Sequence, residues 1–146
     1  MHSSIEELIE AYPAHCTVSR AANENGKRFE IVSKEEFTKI KIDGGLITSS
    51  QIEKCDFGFI RHTNGDFYFV ELKGKDIDKA YNQLINTIKH FDTHLLRMQK
   101  SQRFGFIVGS KYPRASTANQ KLKLDFASKH GKSLDIQNRE LKHIPK

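Results

Sequence analysis

The stretch that decides the fold is residues 55–73, CDFGFIRHTNGDFYFVELK. It contains two largely apolar segments, residues 55–61 and 67–73, separated by the five residues HTNGD. Short apolar segments rich in aromatic and β-branched residues are typical of strands. Asn64-Gly65 between them is typical of a hairpin turn, because both residue types tolerate a positive φ. The sequence therefore predicts an antiparallel β-hairpin over these residues.

Strand and helix patterns alternate in the remainder of the chain. Near the start, Ser4 and Glu7 fit a capping box at the head of a short amphipathic helix, and Asp76 is the predicted N-cap of a longer one. A turn is predicted at residues 23–26. Further strands are predicted at residues 29–32, 37–42, 104–109 and 134–136, and a third helix at 117–130. This order predicts an α/β fold, a mixed central sheet flanked by helices, formed by residues 1–146 as a single domain.

Length and composition limit the class of protein. The chain has 146 residues, of which 37% are hydrophobic and 29% charged, as is typical of one globular domain. No apolar run approaches the ~18 residues needed to span a bilayer, and the first residues do not resemble a secretory signal. Cys16 and Cys55 are the two cysteines, too few for a disulfide scaffold. We therefore expect a cytoplasmic protein with no membrane association.

The charge of the chain favours an anionic partner. It carries 24 Lys and Arg against 18 Asp and Glu, a net charge of +6. From Lys79 to Lys146 there are fourteen basic residues against four acidic ones. We therefore expect the C-terminal half to bind a nucleic-acid backbone. Candidate phosphate contacts, each of which has a solvated surface charge as its alternative explanation, are Lys75, Lys111, Arg114, Lys121 and Lys123.

Three charged side chains interrupt the apolar hairpin. Side chains alternate faces along a strand, so Glu71 and Lys73 share a face, and the hairpin brings Asp56 beside them. Asp56 and Glu71 could bind Mg²⁺, with Mn²⁺ as a substitute, through hard oxygen ligands. Lys73 could position or deprotonate the attacking water, or stabilise the transition state as a fixed cation. The alternative is a turn-capping Asp56 with a surface ion pair between Glu71 and Lys73, worth under ~1 kcal/mol.

The spacing of these three residues resembles the motif of the PD-(D/E)XK nuclease superfamily: Asp56 is followed 15 residues later by Glu71-x-Lys73. This superfamily includes restriction endonucleases and Holliday junction resolvases. The resemblance covers roughly residues 3 to 110 and departs from the motif at Cys55, where the family name has proline. It implies a restriction-endonuclease-like fold and a Mg²⁺-dependent endonuclease that acts on nucleic acid, with DNA favoured over RNA. Asp56 and Glu71 would be its metal ligands and Lys73 its catalytic lysine, and replacing any of the three with alanine is expected to abolish cleavage.

The same resemblance implies two further catalytic positions. Several members add a glutamate on a helix before the motif, for which Glu6 is the candidate because the capping box already accounts for Glu7. Some relatives use a glutamine on the helix after the lysine, and Gln83 is the candidate for that position. Each has a structural alternative: an ordinary acid in a first helical turn for Glu6, and a solvated polar residue for Gln83.

The small size of the chain leaves no room for a separate sequence-reading domain. We therefore expect a homodimer that cleaves with low specificity or recognises a structured substrate, in a resolvase-like, repair or restriction role. Two alternatives stay open. One is a nuclease toxin domain that acts on DNA or tRNA. The other is a non-catalytic nucleic-acid-binding module on the same fold, which would bind with a steep salt dependence and no metal requirement.

Overall fold

The computed structural model describes residues 1–74, 76–110 and 117–146, without the side chains of residues 73 and 74. Within those residues it has three α-helices and nine strands. The helices are α1 (Ile5–Ala11), α2 (Ile77–His90) and α3 (Thr117–Lys129). The strands are β1 (Cys16–Val18), β2 (Ala21–Glu24), β3 (Lys27–Ile31), β4 (Phe37–Lys41), β5 (Phe57–Arg61), β6 (Phe67–Gly74), β7 (Arg103–Gly109), β8 (Ser133–Asn138) and β9 (Glu140–His143). No described helix is both long enough and apolar enough to cross a membrane.

Six strands form a mixed sheet in the order β1-β4-β5-β6-β7-β8. The pairs from β1 to β6 are antiparallel, whereas β6, β7 and β8 run parallel to one another. The predicted hairpin is confirmed, because β5 and β6 pair antiparallel with Phe57 opposite Val70 and Ile60 opposite Phe67. The apolar strand β7 lies between β6 and β8, inside the sheet. The predicted α/β fold with a mixed sheet is therefore confirmed.

The two faces of this sheet are covered differently. One face packs on the helices in a core that includes Leu8 of α1, Leu84 of α2 and Phe126 of α3, all fully buried. The other face packs on a second, three-stranded sheet in the order β2-β3-β9, through residues such as Phe29 and Leu141. The sequence predicted helices as the flanking layers. The structure has helices on one face and a small sheet on the other.

Local signals near the helix and strand ends also have structural counterparts. The Ser4 side chain accepts a hydrogen bond from the amide of Glu7 at 3.1 Å, which confirms the predicted cap of α1. Asp76 caps α2 by accepting from the amides of residues 78 and 79. The predicted turn at 23–26 is only half right. Asn25 and Gly26 have the positive φ angles of a turn, but residues 23 and 24 belong to β2.

Candidate active site

Asp56 and Glu71 meet at one end of the β5–β6 hairpin. Asp56 directly precedes β5, and since Phe57 pairs with Val70, the next residues along the two strands are Asp56 and Glu71. Only 3% of Asp56 and 1% of Glu71 is exposed. The amide of Leu72 donates a hydrogen bond of 2.8 Å to Oδ2 of Asp56. The hairpin thus places two buried carboxylates side by side and holds one of them with a backbone donor from the opposite strand.

Strand alternation places Glu71 on the helix-covered face of the sheet. Phe67 and Phe69 belong to the core under the helices, and Glu71 is the next residue of β6 on that side. Beyond Glu71 the pairing of β6 with β7 is irregular, with a register shift between Glu71 and Gly74. The backbone of Lys73 lies within this irregular stretch, and its side chain lies outside the described residues. The acids therefore lie at the carboxyl end of a strand, where α/β sheets commonly bind ligands.

Helix α2 contacts Cys55, the residue before Asp56, through a threonine. Thr87 accepts a hydrogen bond from the amide of Cys55 at 2.9 Å and donates one to the carbonyl of Gln83 at 2.7 Å. Burial, together with the negative charges of Glu71 and Asp56, raises the pKa of the Cys55 thiol well above its ordinary value. The thiol therefore stays protonated at neutral pH and is not a thiolate nucleophile.

The two candidate positions outside the motif differ in where they lie. Gln83 is half-buried on α2, one turn before Thr87 and on the same side of the helix. Glu6 is exposed in the first turn of α1. Its neighbour Ile5 packs at the Gly65 turn, at the other end of the hairpin from the acids. The structure therefore brings Gln83 towards Cys55 and the acids, and it does not bring Glu6 there.

Two of the five candidate phosphate contacts fall within the described residues. Lys121 is exposed and Lys123 is half-buried, both on α3. Residues two apart on a helix do not face the same side, so these two lysines do not form one patch. The other three candidates, Lys75, Lys111 and Arg114, lie outside the described residues. In the chain, they follow the carboxyl ends of β6 and β7.

A basic groove that the sequence did not reveal lies at the same end of the β5–β6 hairpin as the acids, on the side of the sheet to which Phe57 points and not on the helix-covered face of Glu71. It has a volume of about 240 Å³ and lies against Phe57, the residue that follows Asp56. The ammonium group of Lys39 is 4.7 Å from the centre of the Phe57 ring, a cation–π contact, and burial lowers the pKa of Lys39. Lys41 and His15 also line the groove. The alternating lysines of FTKIK (residues 37–41) were the available signal.

The donor set of the site suits a hard divalent cation. Asp56 and Glu71 offer carboxylate oxygens on adjacent strands, the ligands that Mg²⁺ prefers. Among the residues that the structure describes, no group of three or more His, Cys, Asp or Glu could hold a metal ion. Mg²⁺ usually keeps several water ligands and binds through one or two carboxylates, so the pair fits this ion better than a zinc site, which takes four tight ligands.

Comparisons with known proteins found no relatives. No protein-family model matches the chain, and no match exists among the curated proteins or the solved structures.

Proposed function

We propose that this chain is a divalent-metal-dependent endonuclease that hydrolyses phosphodiester bonds, with DNA as the favoured substrate. The observation that carries the proposal is the burial of Asp56 and Glu71 side by side at the end of the hairpin. Two neighbouring carboxylates repel each other and lose hydration when buried. A bound cation offsets both costs, which is why such pairs are common where Mg²⁺ assists phosphoryl chemistry.

Each residue of the site has a specific task in this proposal. Asp56 and Glu71 would hold Mg²⁺ or Mn²⁺, an ion that would supply an acidified water and positive charge for the phosphate when bound. Leu72 orients Asp56 through its amide hydrogen bond. Lys73 positions or deprotonates the attacking water, or stabilises the transition state as a cation. Gln83 orients the same water from α2.

Substrate binding is assigned to the basic surface around this end of the sheet. The groove at Phe57 contributes Lys39 and Lys41, and α3 contributes Lys121. Contacts of this kind bind the phosphate backbone and contribute little to recognition of the base sequence. We therefore propose cleavage directed by substrate structure or with low specificity, by a cytoplasmic homodimer in a resolvase, repair or restriction role.

The test is a cleavage assay on three substrates. Supercoiled plasmid, a four-way junction and bulk tRNA are each incubated with Mg²⁺, Mn²⁺ or EDTA. Wild type is compared with Glu71→Gln and with Glu6→Gln, an exposed glutamate that serves as the matched control. We expect metal-dependent cleavage that is lost in Glu71→Gln and kept in Glu6→Gln. Wild type and the two variants are purified in parallel, so that a contaminating nuclease would cleave equally in all three preparations.

The outcome also separates the competing functions. Preference for the junction indicates a resolvase, preference for plasmid a restriction or repair enzyme, and preference for tRNA a toxin. Salt-sensitive binding with no cleavage of any substrate would contradict the nuclease proposal and favour a non-catalytic binding module. Cleavage that survives in Glu71→Gln would contradict the assignment of the site.

A further inference from the structure

A second cavity lies at the amino ends of the three parallel strands. It has a volume of about 440 Å³, within the range of small-molecule binding sites. Its floor is a row across the sheet, because Tyr68 of β6 pairs with Phe104 of β7, which pairs with Ser133 of β8. His143 of β9 forms a wall, with its ring perpendicular to that of Tyr68 at 5.1 Å between centres.

This cavity is separate from the acid pair. Tyr68 belongs to the core under the small sheet, whereas Glu71 lies on the helix-covered face. The cavity also lies at the opposite end of the hairpin, since Arg61 and Asp66 from its loop end line the cavity. A ligand bound here would not contact Asp56 or Glu71, and the inference therefore does not rest on the proposed nuclease activity.

The hydroxyl of Tyr68 is the main polar feature of the floor. Only 1% of Tyr68 is exposed, yet it lines the cavity. No hydrogen bond to this hydroxyl is formed by any residue in the described ranges 1–74, 76–110 and 117–146. Burial raises the pKa of Tyr68 to about 12, so the phenol is a hydrogen-bond donor at neutral pH. This oxygen is not among the fully buried unsatisfied side-chain atoms of the described residues, so it reaches the cavity, where a ligand or water can accept its hydrogen bond.

The charges around the cavity favour an anion. Arg61 is held by Glu35 through two hydrogen bonds of 3.0 and 2.7 Å, so its charge is already balanced. Lys132 and Lys146 line the cavity together with one carboxylate, Asp66. Lysines thus outnumber acidic residues among those that line the cavity, and a main-chain oxygen of Lys146 accepts a hydrogen bond of 2.8 Å from Arg61.

We propose that this cavity binds a nucleoside monophosphate. The aromatic edges of Tyr68, Phe104 and His143 suit a planar base. The ammonium groups of Lys132 and Lys146 suit the phosphate. Ser133 and Asp66 offer partners to sugar hydroxyls, and the Tyr68 hydroxyl donates to a base or phosphate oxygen.

The test is an NMR titration of the full chain with adenosine monophosphate, adenosine and inorganic phosphate as separate probes. We expect saturable shifts of the amides of Tyr68, Phe104, Ser133 and His143 with the nucleotide. Adenosine and phosphate should each bind at least about tenfold more weakly, because each lacks half of the recognised groups. Nucleotide affinity should fall about threefold to tenfold in Tyr68→Phe, which keeps the ring and removes one hydrogen bond.

Matched controls make this test specific. Lys132→Gln should lower the affinity for the nucleotide and reduce the dependence of that affinity on salt. Lys89→Gln, at an exposed lysine of α2, should change neither the affinity nor its salt dependence. Tyr81→Phe removes a hydroxyl that bonds Asp125 under the helices and should leave nucleotide affinity unchanged. The proposal is overturned by an absence of shifts at millimolar nucleotide, or by equal affinity in wild type, Tyr68→Phe and Lys132→Gln. Phosphate or adenosine binding as tightly as the nucleotide would also overturn it.

Discussion

The amide nitrogen of Leu72 lies 2.8 Å from Oδ2 of Asp56, so the strand that carries Glu71 also holds the other carboxylate. Asp56 therefore has an anchoring role as an acceptor in addition to its proposed role as a metal ligand. The first role needs only an oxygen, whereas the second needs a negative charge. Substitutions at Asp56 can separate the two.

Asp56→Asn is expected to abolish metal-dependent cleavage and to keep most of the stability. The asparagine oxygen can still accept the Leu72 amide hydrogen, but the charge that binds the cation is lost. Asp56→Ala should abolish cleavage and also destabilise the fold by about 1–3 kcal/mol, because the Leu72 amide loses a buried acceptor. Cleavage assays measure the activity of the two variants, and urea unfolding measures their stability.

Wild-type cleavage by Asp56→Asn would contradict the role of this charge. Equal stability of the alanine and asparagine variants would show that the Leu72 hydrogen bond contributes little to anchoring.

Thr87 is expected to stabilise the contact between α2 and the acid-bearing strand. Thr87→Val keeps the shape of the side chain but removes the acceptor for the buried Cys55 amide. We expect a loss of about 1–3 kcal/mol in the free energy of unfolding, measured by urea denaturation.

Thr93→Val is the matched control for that substitution. Thr93 also donates to the carbonyl four residues earlier, but it is exposed and water can replace the bond. Its effect should stay within about 0.5 kcal/mol. Equal effects of the two substitutions would show that the Cys55 contact is not what Thr87 contributes.

The parts of the fold that the sequence predicted are those with a local signal. The β5–β6 hairpin has an Asn64-Gly65 turn between two apolar segments, and α2 has an N-cap in Asp76 followed by an apolar stripe. The juxtaposition of Asp56 and Glu71 follows from the hairpin alone, because antiparallel pairing places residues on either side of the turn opposite each other. The catalytic role of these residues stays a prediction.

Of the small sheet, the sequence predicted only β3, at residues 29–32, whereas β2 and β9 were missed because both are polar and because the pairing of β9 is non-local. β9 pairs in parallel with β3, more than a hundred residues earlier in the chain, with Leu141 opposite Phe29. Neither AANE of β2 nor ELKH of β9 has the apolar alternation typical of strands. The position of Glu6 was equally unpredictable, since it depends on where α1 packs and not on the pattern of α1 itself.

Glu35 should make the stability of the fold depend on acid pH. Hydrogen bonds from Arg61 and Thr63 lower the pKa of Glu35 from 4.5 to about 2. A carboxyl group whose pKa is lower in the folded state contributes stability above its unfolded pKa, and that contribution is lost as the pH falls through the folded value. The midpoint of thermal unfolding of wild type should therefore exceed that of Glu35→Gln near pH 6, and the difference should shrink from about pH 4.5 towards pH 2.

Glu36→Gln, at the exposed next position, is the control for this measurement. Its difference from wild type should vary less with pH. A Glu35→Gln difference that stayed constant from pH 6 to the acid limit would show that the Arg61 contact does not favour the ionised carboxylate.

Lys121 and Lys41 should each contribute to nucleic-acid binding through the phosphate backbone. In a Glu71→Gln background with EDTA, Lys121→Gln and Lys41→Gln are each expected to weaken binding of duplexes of unrelated sequence by a similar factor. The slope of log affinity against log salt should become less steep by about 0.9 for each phosphate contact that is lost. Fluorescence anisotropy at several salt concentrations measures both quantities.

Lys34→Gln, an exposed lysine in the segment between β3 and β4, should leave the slope unchanged. If all three substitutions changed the slope equally, the binding would reflect net charge rather than a surface at the acid-bearing end of the sheet.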